Sequence, residues 1–296
     1  MKVSVVIPNY NGEKLLTEHL PKVIKAKSNP NNKIIEIIIV DDCSNDDSVK
    51  LIRRNYSIVK LIKHKKNRGF SAAVNTGVRS SKGDLVVLLN SDVSPKENFL
   101  VGIERHFKDK RVFGVSLHEK GYGYARGEFK DGFIEHRPGR ANKKTQVTFW
   151  VSGGSGVFRR SDWVKLGGFD ESLFKFYWED VDLSYRAQKR GFRVLWDPNA
   201  KVSHKHESST RKTFNNKKLR KMQEKHQLLF IWKNLTSNNM FRKHLKGLLG
   251  RLIRHPGYIK TVIGALTQLR KVLKKRKKEI KECKVSDETI FANFKR

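Results

Sequence analysis

The sequence predicts an α/β fold, a mostly parallel sheet flanked by helices, followed by a basic helical C-terminal extension. Three observations carry this expectation. Short, β-branched apolar runs alternate with stretches of helical spacing through the first third of the chain. Polar and acidic residues gather just after those runs, where open parallel sheets bind their ligands. Beyond about residue 206 the pattern turns helical and strongly basic.

Residues 3–7 (VSVVI) read as a buried strand closed by Pro8. The turn over 9–12 leads into residues 13–27, where Leu15, Leu16, Leu20, Val23 and Ile24 fall at helical intervals. A polar loop over 28–33 precedes a second strand over 34–40. A helix over 46–55, a strand over 58–62, a helix over 70–80 and a strongly apolar strand over 85–89 continue the alternation. Residues 95–107 are expected to form another helix. Residues 118–147, rich in Gly, Lys and Arg, read as a long loop or a floppy hairpin, and long loops in compact domains often cover substrates. Order returns over 148–204, marked by Trp150, Trp163, Phe169, Phe174, Phe176, Tyr177, Trp178 and Trp196.

The chain carries 63 Lys and Arg against 29 Asp and Glu, a net charge of +34. Residues 201–296 hold 27 of the basic and 6 of the acidic side chains. Such a field attracts nucleic acid, an anionic membrane or phosphorylated substrates. Cys43 and Cys283, distant in sequence, indicate neither a disulfide framework nor a zinc site. The N-terminal apolar run is too short for a signal peptide and no run reaches spanning length, so a cytoplasmic location is expected.

The C-terminal apolar residues follow helical spacing on both sides of Pro256 and Gly257: Leu245, Leu248, Leu249, Leu252 and Ile253, then Ile259, Val262, Ile263, Leu266, Leu269 and Leu273. Lys271, Lys274, Lys275, Arg276, Lys277 and Lys278 lie beside them. Basic amphipathic helices suit an anionic membrane. Packing onto a catalytic domain explains the same spacing, and the sequence leaves both open.

Three acidic sites carry the chemistry: Asp41 with Asp42, Asp92, and Glu179 and Asp180 with Asp182. A nucleoside diphosphate at a sheet edge needs a divalent cation, and Mg²⁺ or Mn²⁺ takes oxygen ligands, few of them carboxylates. Asp92, directly after a buried strand, is rigidly placed for this. A further carboxylate would act as general base toward an attacking hydroxyl.

Residues 3–12 (VSVVIPNYNG), 37–46 (IIIVDDCSND) and 67–75 (NRGFSAAVN) resemble the opening of family-2 glycosyltransferases with the GT-A fold. Residues 88–93 (LLNSDV) look like that family's metal motif, and 167–171 (GGFDE) and 178–183 (WEDVDL) like its acceptor-side motifs. Order and spacing also match. The resemblance covers about residues 1–235 and is closest to bacterial rhamnosyltransferase-like members, partly through 227–234 (QLLFIWKN). One position departs: many members carry an acid where this chain has Asn90.

The resemblance implies a GT-A catalytic domain over 1–205, with a Rossmann-like nucleotide-sugar-binding half over 1–117 and an acceptor half over 118–205, and a basic helical extension over 206–296. It implies that Pro8, Tyr10 and Asn11 line the nucleotide pocket. Asp42 would accept a hydrogen bond from the base, with Asp41 beside it, and Arg68 and Asn75 would lie near the diphosphate or ribose. Asn90 and Ser91 would adjoin the donor, with Asp92 as main metal ligand and His204 as a further one. Asp180 would be the catalytic base, and Trp150, Gly153, Gly154, Trp178 and Glu179 would meet the acceptor. The implied reaction is a single, inverting displacement on a dTDP-rhamnose or UDP-hexose type of donor, with Mg²⁺ or Mn²⁺. A glycan or lipid-linked acceptor, cell-surface polysaccharide synthesis and a peripheral position at the inner face of the cell membrane follow from the same resemblance.

Each motif also has a plainer reading. Asp42 and Ser44 could cap the helix after strand two, and Asp92 could be a turn residue before Pro95. Glu179, Asp180 and Asp182 suit any helix start. His204 could be structural, and the aromatics over 174–178 partly core. A nucleotidyltransferase would carry a Gly-rich basic loop after strand one, where this chain has Pro8 to Gly12. A nucleic-acid-binding protein would fit the charge, but no such motif is evident, so no nucleic-acid partner is expected.

Overall fold

The computed structural model describes residues 1–140, 143–204 and 215–295, so the expected boundary at 205/206 lies outside the described residues. Strands β1 (Val3–Asn9) and β2 (Ile34–Asp41) are buried almost throughout, which is why they read as continuous apolar runs. With β3 (Val59–Lys63) and β4 (Leu85–Leu89) they form a parallel set in the order β3-β2-β1-β4. Successive residues of β1 face opposite sides. Val5 and Ile7 join Leu16, Leu20 and Val23 of α1 (Glu13–Ser28) in one core. Val6 joins Ala73, Val74 and Val78 of α3 (Phe70–Ser80) in another. Helix α2 (Ser48–Asn55) packs at the β3 edge and contributes Ile52 to the first core.

The sheet continues with antiparallel pairings. Strand β10 (Ser155–Arg159) inserts antiparallel between β4 and β6 (Val112–Glu119). Strand β11 (Arg193–His204) lies parallel to β6, and β5 (Val93–Pro95) and β9 (Gln146–Val147) pair antiparallel with β11. The helix expected over 95–107 does not form: after β5 the chain turns, and only Ile103–Lys108 is helical, as a short 3₁₀ segment. Gly102 interrupts at φ +80°, outside the helical region. The misleading spacing came from Phe99, Leu100, Ile103 and Phe107, all of which fill the first core.

Within 118–147 the chain forms a hairpin of β7 (Ala125–Lys130) and β8 (Phe133–Pro138). Asp131 and Gly132 both have positive φ, as a two-residue type I′ turn requires. The hairpin is not floppy. Phe133 and Ile134 are fully buried, and the turn carbonyl of Gly132 accepts a hydrogen bond from His244 Nδ1 at 2.7 Å.

Helices α4 (Arg160–Leu166) and α5 (Glu179–Lys189) lie in the chain between β10 and β11. Five more follow among the described residues: α6 (Asn216–Asn234), α7 (Asn238–Arg254), α8 (Ile259–Leu266), α9 (Leu269–Lys281) and α10 (Asp287–Ala292). Their inner faces share one core with the hairpin and α5, in which Phe149, Phe174 and Tyr185 meet Phe230, Ile231, Val262, Val272 and Phe291. Asp287 locks this arrangement. It is fully buried and takes hydrogen bonds from Tyr185 (2.6 Å) and Lys189 (2.7 Å) of α5.

Candidate active site

Asp92 sits in the turn after β4, 2% exposed. Its Oδ1 lies 3.0 Å from His204 Nε2 at the end of β11, and its Oδ2 is buried without a hydrogen-bond partner. The other ring nitrogen, His204 Nδ1, lies 3.1 Å from Glu119 Oε2 at the end of β6. Three strand ends thus deliver two carboxylates and an imidazole to one point. Burial alone would raise the Asp92 carboxyl, but the hydrogen bond and charge of His204 outweigh it and hold it below the usual range. Burial opposes the charged imidazole too, yet Asp92 and Glu119 bring His204 up to about 9.

This set fits a divalent cation. The unpartnered Asp92 oxygen needs a positive partner. No group of three or more His, Cys, Asp or Glu among the described residues forms a cation site by itself. Mg²⁺ or Mn²⁺ takes one or two protein ligands and completes its shell with substrate phosphates and water.

Two short links tie Asp92's turn to Asp180. The N–H of Asn90 donates to the carbonyl of Gly154 (2.9 Å), and the N–H of Gly153 donates to Asp180 Oδ2 (3.1 Å). A Cβ on Gly154 would come within 2.4 Å of the Asn90 side-chain Nδ2, so any larger residue there would have to displace the Asn90 side chain. Asp180 also accepts from the N–H of Val181 at 2.8 Å. Tyr177 and Trp178, which lead into α5, both adopt left-handed backbone (φ 59° and 72°), strain of a kind that gathers at functional sites. Asp180, Glu179, Trp150, Tyr177, Trp178 and His136 line a cavity of about 440 Å³. Burial raises the Asp180 carboxyl above its usual range, against the pull of the Gly153 and Val181 N–H groups. Glu179, fully buried with one oxygen unpartnered, is raised well above its range by burial and then by the charge of Asp180.

On the other side of the sheet edge, Pro8 is buried in β1, Tyr10 is half-buried and Asn11 is exposed. Asn11 Oδ1 accepts from the N–H of Asn45 (2.8 Å), joining the two loops that follow β1 and β2. Asp41 is fully buried and accepts from Asn9 Nδ2 (3.0 Å) and the N–H of Ser44 (3.0 Å). Neither Asp42 nor Ser44 caps α2, whose start has no side-chain cap. Asp42 instead receives the N–H groups of Arg68 (2.9 Å) and Gly69 (2.7 Å) and pairs with His64 (2.7 Å), anchoring the start of α3. Arg68 extends to Glu171 at 2.9 Å.

Asn75 lies against the 167–171 loop and shares Glu171 with Arg68. Its amide donates to the carbonyl of Phe169 (2.8 Å) and accepts from the N–H of Phe169 (2.9 Å). It is a buried clamp on the 167–171 loop, and it lines a separate cavity with Arg79, Gly168 and Lys275. Asp182 likewise faces inward, toward Arg186 and Lys233, and is no part of the Asp180 cavity.

The comparisons bear on this arrangement directly. The family model described as "Glycosyl transferase family 2" matches residues 4–165, more than half of the chain. The chain belongs to glycosyl transferase family 2. The model of "Glycosyl transferase family group 2" also matches, over residues 85–270. Among curated relatives, a pre-mycofactocin glycosyltransferase of Mycobacterium tuberculosis is 30% identical over 188 residues, covering 60% of this chain and 39% of that protein. An undecaprenyl-phosphate 4-deoxy-4-formamido-L-arabinose transferase of Pseudomonas aeruginosa is 37% identical over 117 residues, 38% of this chain and 34% of that protein. The chain thus spans about two fifths of the length of the curated relatives it matches. Among solved structures, GalNAc-T7 with UDP, GalNAc and Mn²⁺ superposes with a TM-score of 0.64 at 17% identity, covering 88% of this chain and 57% of that one. The fold is therefore of the GT-A glycosyltransferase type.

Within this family-2 chain, two residues of the site escaped the sequence reading. Glu119 looks like an ordinary strand-end acid, and its partner His204 is 85 residues away. His136 sits in the segment read as a long loop or a floppy hairpin, and it stacks edge-on against Trp150 with ring centroids 4.4 Å apart. The only available signal was the Asp131-Gly132 pair, which announces a hairpin and would have fixed the register that brings His136 inward.

Proposed function

We propose that this protein is an inverting glycosyltransferase, moving a sugar from a nucleoside-diphosphate sugar to an acceptor hydroxyl. The observation that carries the reading is the junction of Asn90, Gly154, Gly153 and Asp180, which couples the Asp92 turn to the carboxylate of the aromatic cavity. Tyr10, Asn11, Asp42 and Arg68 surround the region for the nucleotide. Asp92 and His204 would hold Mg²⁺ or Mn²⁺, which when bound offsets the charge of the departing diphosphate. The Mn²⁺ named with GalNAc-T7 supports that choice.

Asp180 accepts the acceptor's hydroxyl proton as that oxygen bonds to the anomeric carbon. The bond from that carbon to the diphosphate breaks, and the pair leaves with the diphosphate. One displacement inverts the configuration, and no second nucleophilic carboxylate is needed. Burial of Asp180 strengthens it as a base, while the Gly153 and Val181 N–H groups aim it. Trp150 and Trp178 offer aromatic faces to a sugar or lipid-linked acceptor. A dTDP-rhamnose or UDP-hexose donor and a role in cell-surface polysaccharide synthesis at the inner membrane face complete the reading. The undecaprenyl-phosphate relative supports the lipid-linked class of acceptor.

The test is a thermal-shift screen of nucleotide sugars with Mn²⁺, followed by product analysis with candidate acceptors. A ligand specific to the folded state raises its apparent stability. Binding of duplex DNA with no response to any nucleotide sugar would reject the proposal.

A further inference from the structure

Helices α7, α8 and α9 each bury one side and leave a second apolar stripe in solvent. On α8, Val262 and Ala265 point inward, while Ile259, Ile263 and Leu266 are exposed. On α7, Leu245, Leu249 and Ile253 follow at four-residue intervals, exposed by 51%, 61% and 72%. On α9, Val272 is buried but Leu273 and Ile280, two turns apart, are exposed. Fifteen large apolar side chains are exposed among the described residues, and eight of them belong to these three helices. Scattered exposed apolar residues are ordinary, whereas a concentration of them marks a contact surface.

The charge around these stripes selects the occupant. Residues 242–281 contain 14 Lys and Arg and a single acid, Glu279. Glu279 is buried against Arg190 at 2.7 Å, so the exposed surface of this segment presents no acidic side chain. We propose that α7–α9 form a docking face for an anionic lipid bilayer, with the exposed Leu and Ile side chains entering the head-group region and the Lys and Arg side chains on the lipid phosphates. A second copy of this chain would set two like-charged faces together. No helix among the described residues is long and apolar enough to cross a membrane, so docking is peripheral.

The face is coupled to the aromatic cavity. His244 and Arg251 of α7 hold the β7–β8 hairpin, through the Gly132 carbonyl and the Phe133 ring. The same hairpin supplies His136 to the cavity that Asp180 lines. Docking would therefore bring the acceptor cavity within reach of a membrane-borne substrate, and this last step alone rests on the proposed transfer reaction.

The test is co-sedimentation of the full chain with phosphatidylcholine vesicles, with and without phosphatidylglycerol, at about 0.1 and 0.5 M salt. One variant carries Leu249→Glu with Ile253→Glu, a second Lys271→Gln, Lys274→Gln and Lys277→Gln. All five positions are exposed, so the fold should survive, which thermal unfolding checks. The wild type is expected to bind only the anionic vesicles and to release in high salt. Each variant should weaken binding about tenfold or more. Equal binding by wild type and variants, equal binding to neutral vesicles, or no vesicle binding together with a dimer that Leu249→Glu with Ile253→Glu disrupts would each overturn the proposal. Vesicle binding needs no donor, so a failure here leaves the transfer reading standing, and a failure of nucleotide binding leaves the docking face standing.

Discussion

The Nε2 atom of His204 lies 3.0 Å from Oδ1 of Asp92, although 112 positions separate the two in sequence. Asp92 directly precedes β5, and Val93 of β5 pairs with His204 of β11, so the antiparallel pairing of these two strands sets the contact. Asp92→Ala is expected to abolish Mn²⁺-dependent binding of a nucleoside diphosphate, read by calorimetry. Unchanged binding would remove Asp92 from the proposed cation site. Glu119→Gln keeps the shape behind His204 but loses the charge. It should weaken Mn²⁺ affinity about 10- to 100-fold, the usual effect of an outer hydrogen-bond partner. Mn²⁺ titration followed by electron paramagnetic resonance measures this without any turnover.

Asp180→Asn preserves the hydrogen bond from the Gly153 N–H but removes the base. Donor binding is expected to survive while transfer falls by about two to four orders of magnitude. Near-wild-type transfer would exclude Asp180 as base. Asp182 would not replace it, because Lys233 and Arg186 already occupy its carboxylate.

Glu179 gives a prediction for stability against pH. Its carboxyl is raised in the fold, chiefly by burial. The folded state therefore keeps a proton that the unfolded state loses, and stability falls as pH climbs from the ordinary carboxylate range through the raised value. Glu179→Gln escapes that loss. The variant's melting temperature should match the wild type near pH 4, roughly where an unperturbed Glu titrates, and exceed it near pH 8. A gap that is constant across pH would show that Glu179 does not carry the proton.

The parallel half of the fold was legible because β1, β2 and β4 are buried on both faces, as with Val5 and Val6, and α1 has a clean apolar stripe, as with Leu16 and Leu20. The antiparallel half was not. Strand β10 includes Gly156 and lies between β4 and β6, an insertion that no local pattern announces. Asp92 and Asp180 could be singled out because each follows a recognisable run. Their link through Gly153 and Gly154 could not, since it rests on hydrogen bonds between segments far apart in sequence. The motif around Asn75 is likewise local and does not announce its partner Phe169, 94 residues away.

Lys233 closes a buried network behind the base. Its ammonium reaches Asp182 at 2.8 Å and Asp170 at 2.9 Å, and Asn234 and Arg186 complete the shell of Asp182 at 2.8 Å each. Burial opposes both carboxylates, yet the surrounding cations hold both below their usual range. Asp182 lies two residues after Asp180 on α5, so the network ties the helix that carries the proposed base to α6. Lys233→Met leaves two buried carboxylates short of a partner, and such losses cost about 3–5 kcal/mol. Carboxylates depressed in the fold stabilise it above their unfolded pKa and stop doing so as pH falls through the folded value. The deficit of Lys233→Met should therefore be full at neutral pH and shrink in acid, as read by urea unfolding. Lys275 also touches Asp170, at 2.8 Å, but its side chain is 36% exposed. Water can replace it, and Lys275→Met should cost no more than about 1 kcal/mol. Equal losses from the two substitutions would mean that burial is not what makes Lys233 matter, and α5 would then have to be held chiefly by its apolar face and by Asp287.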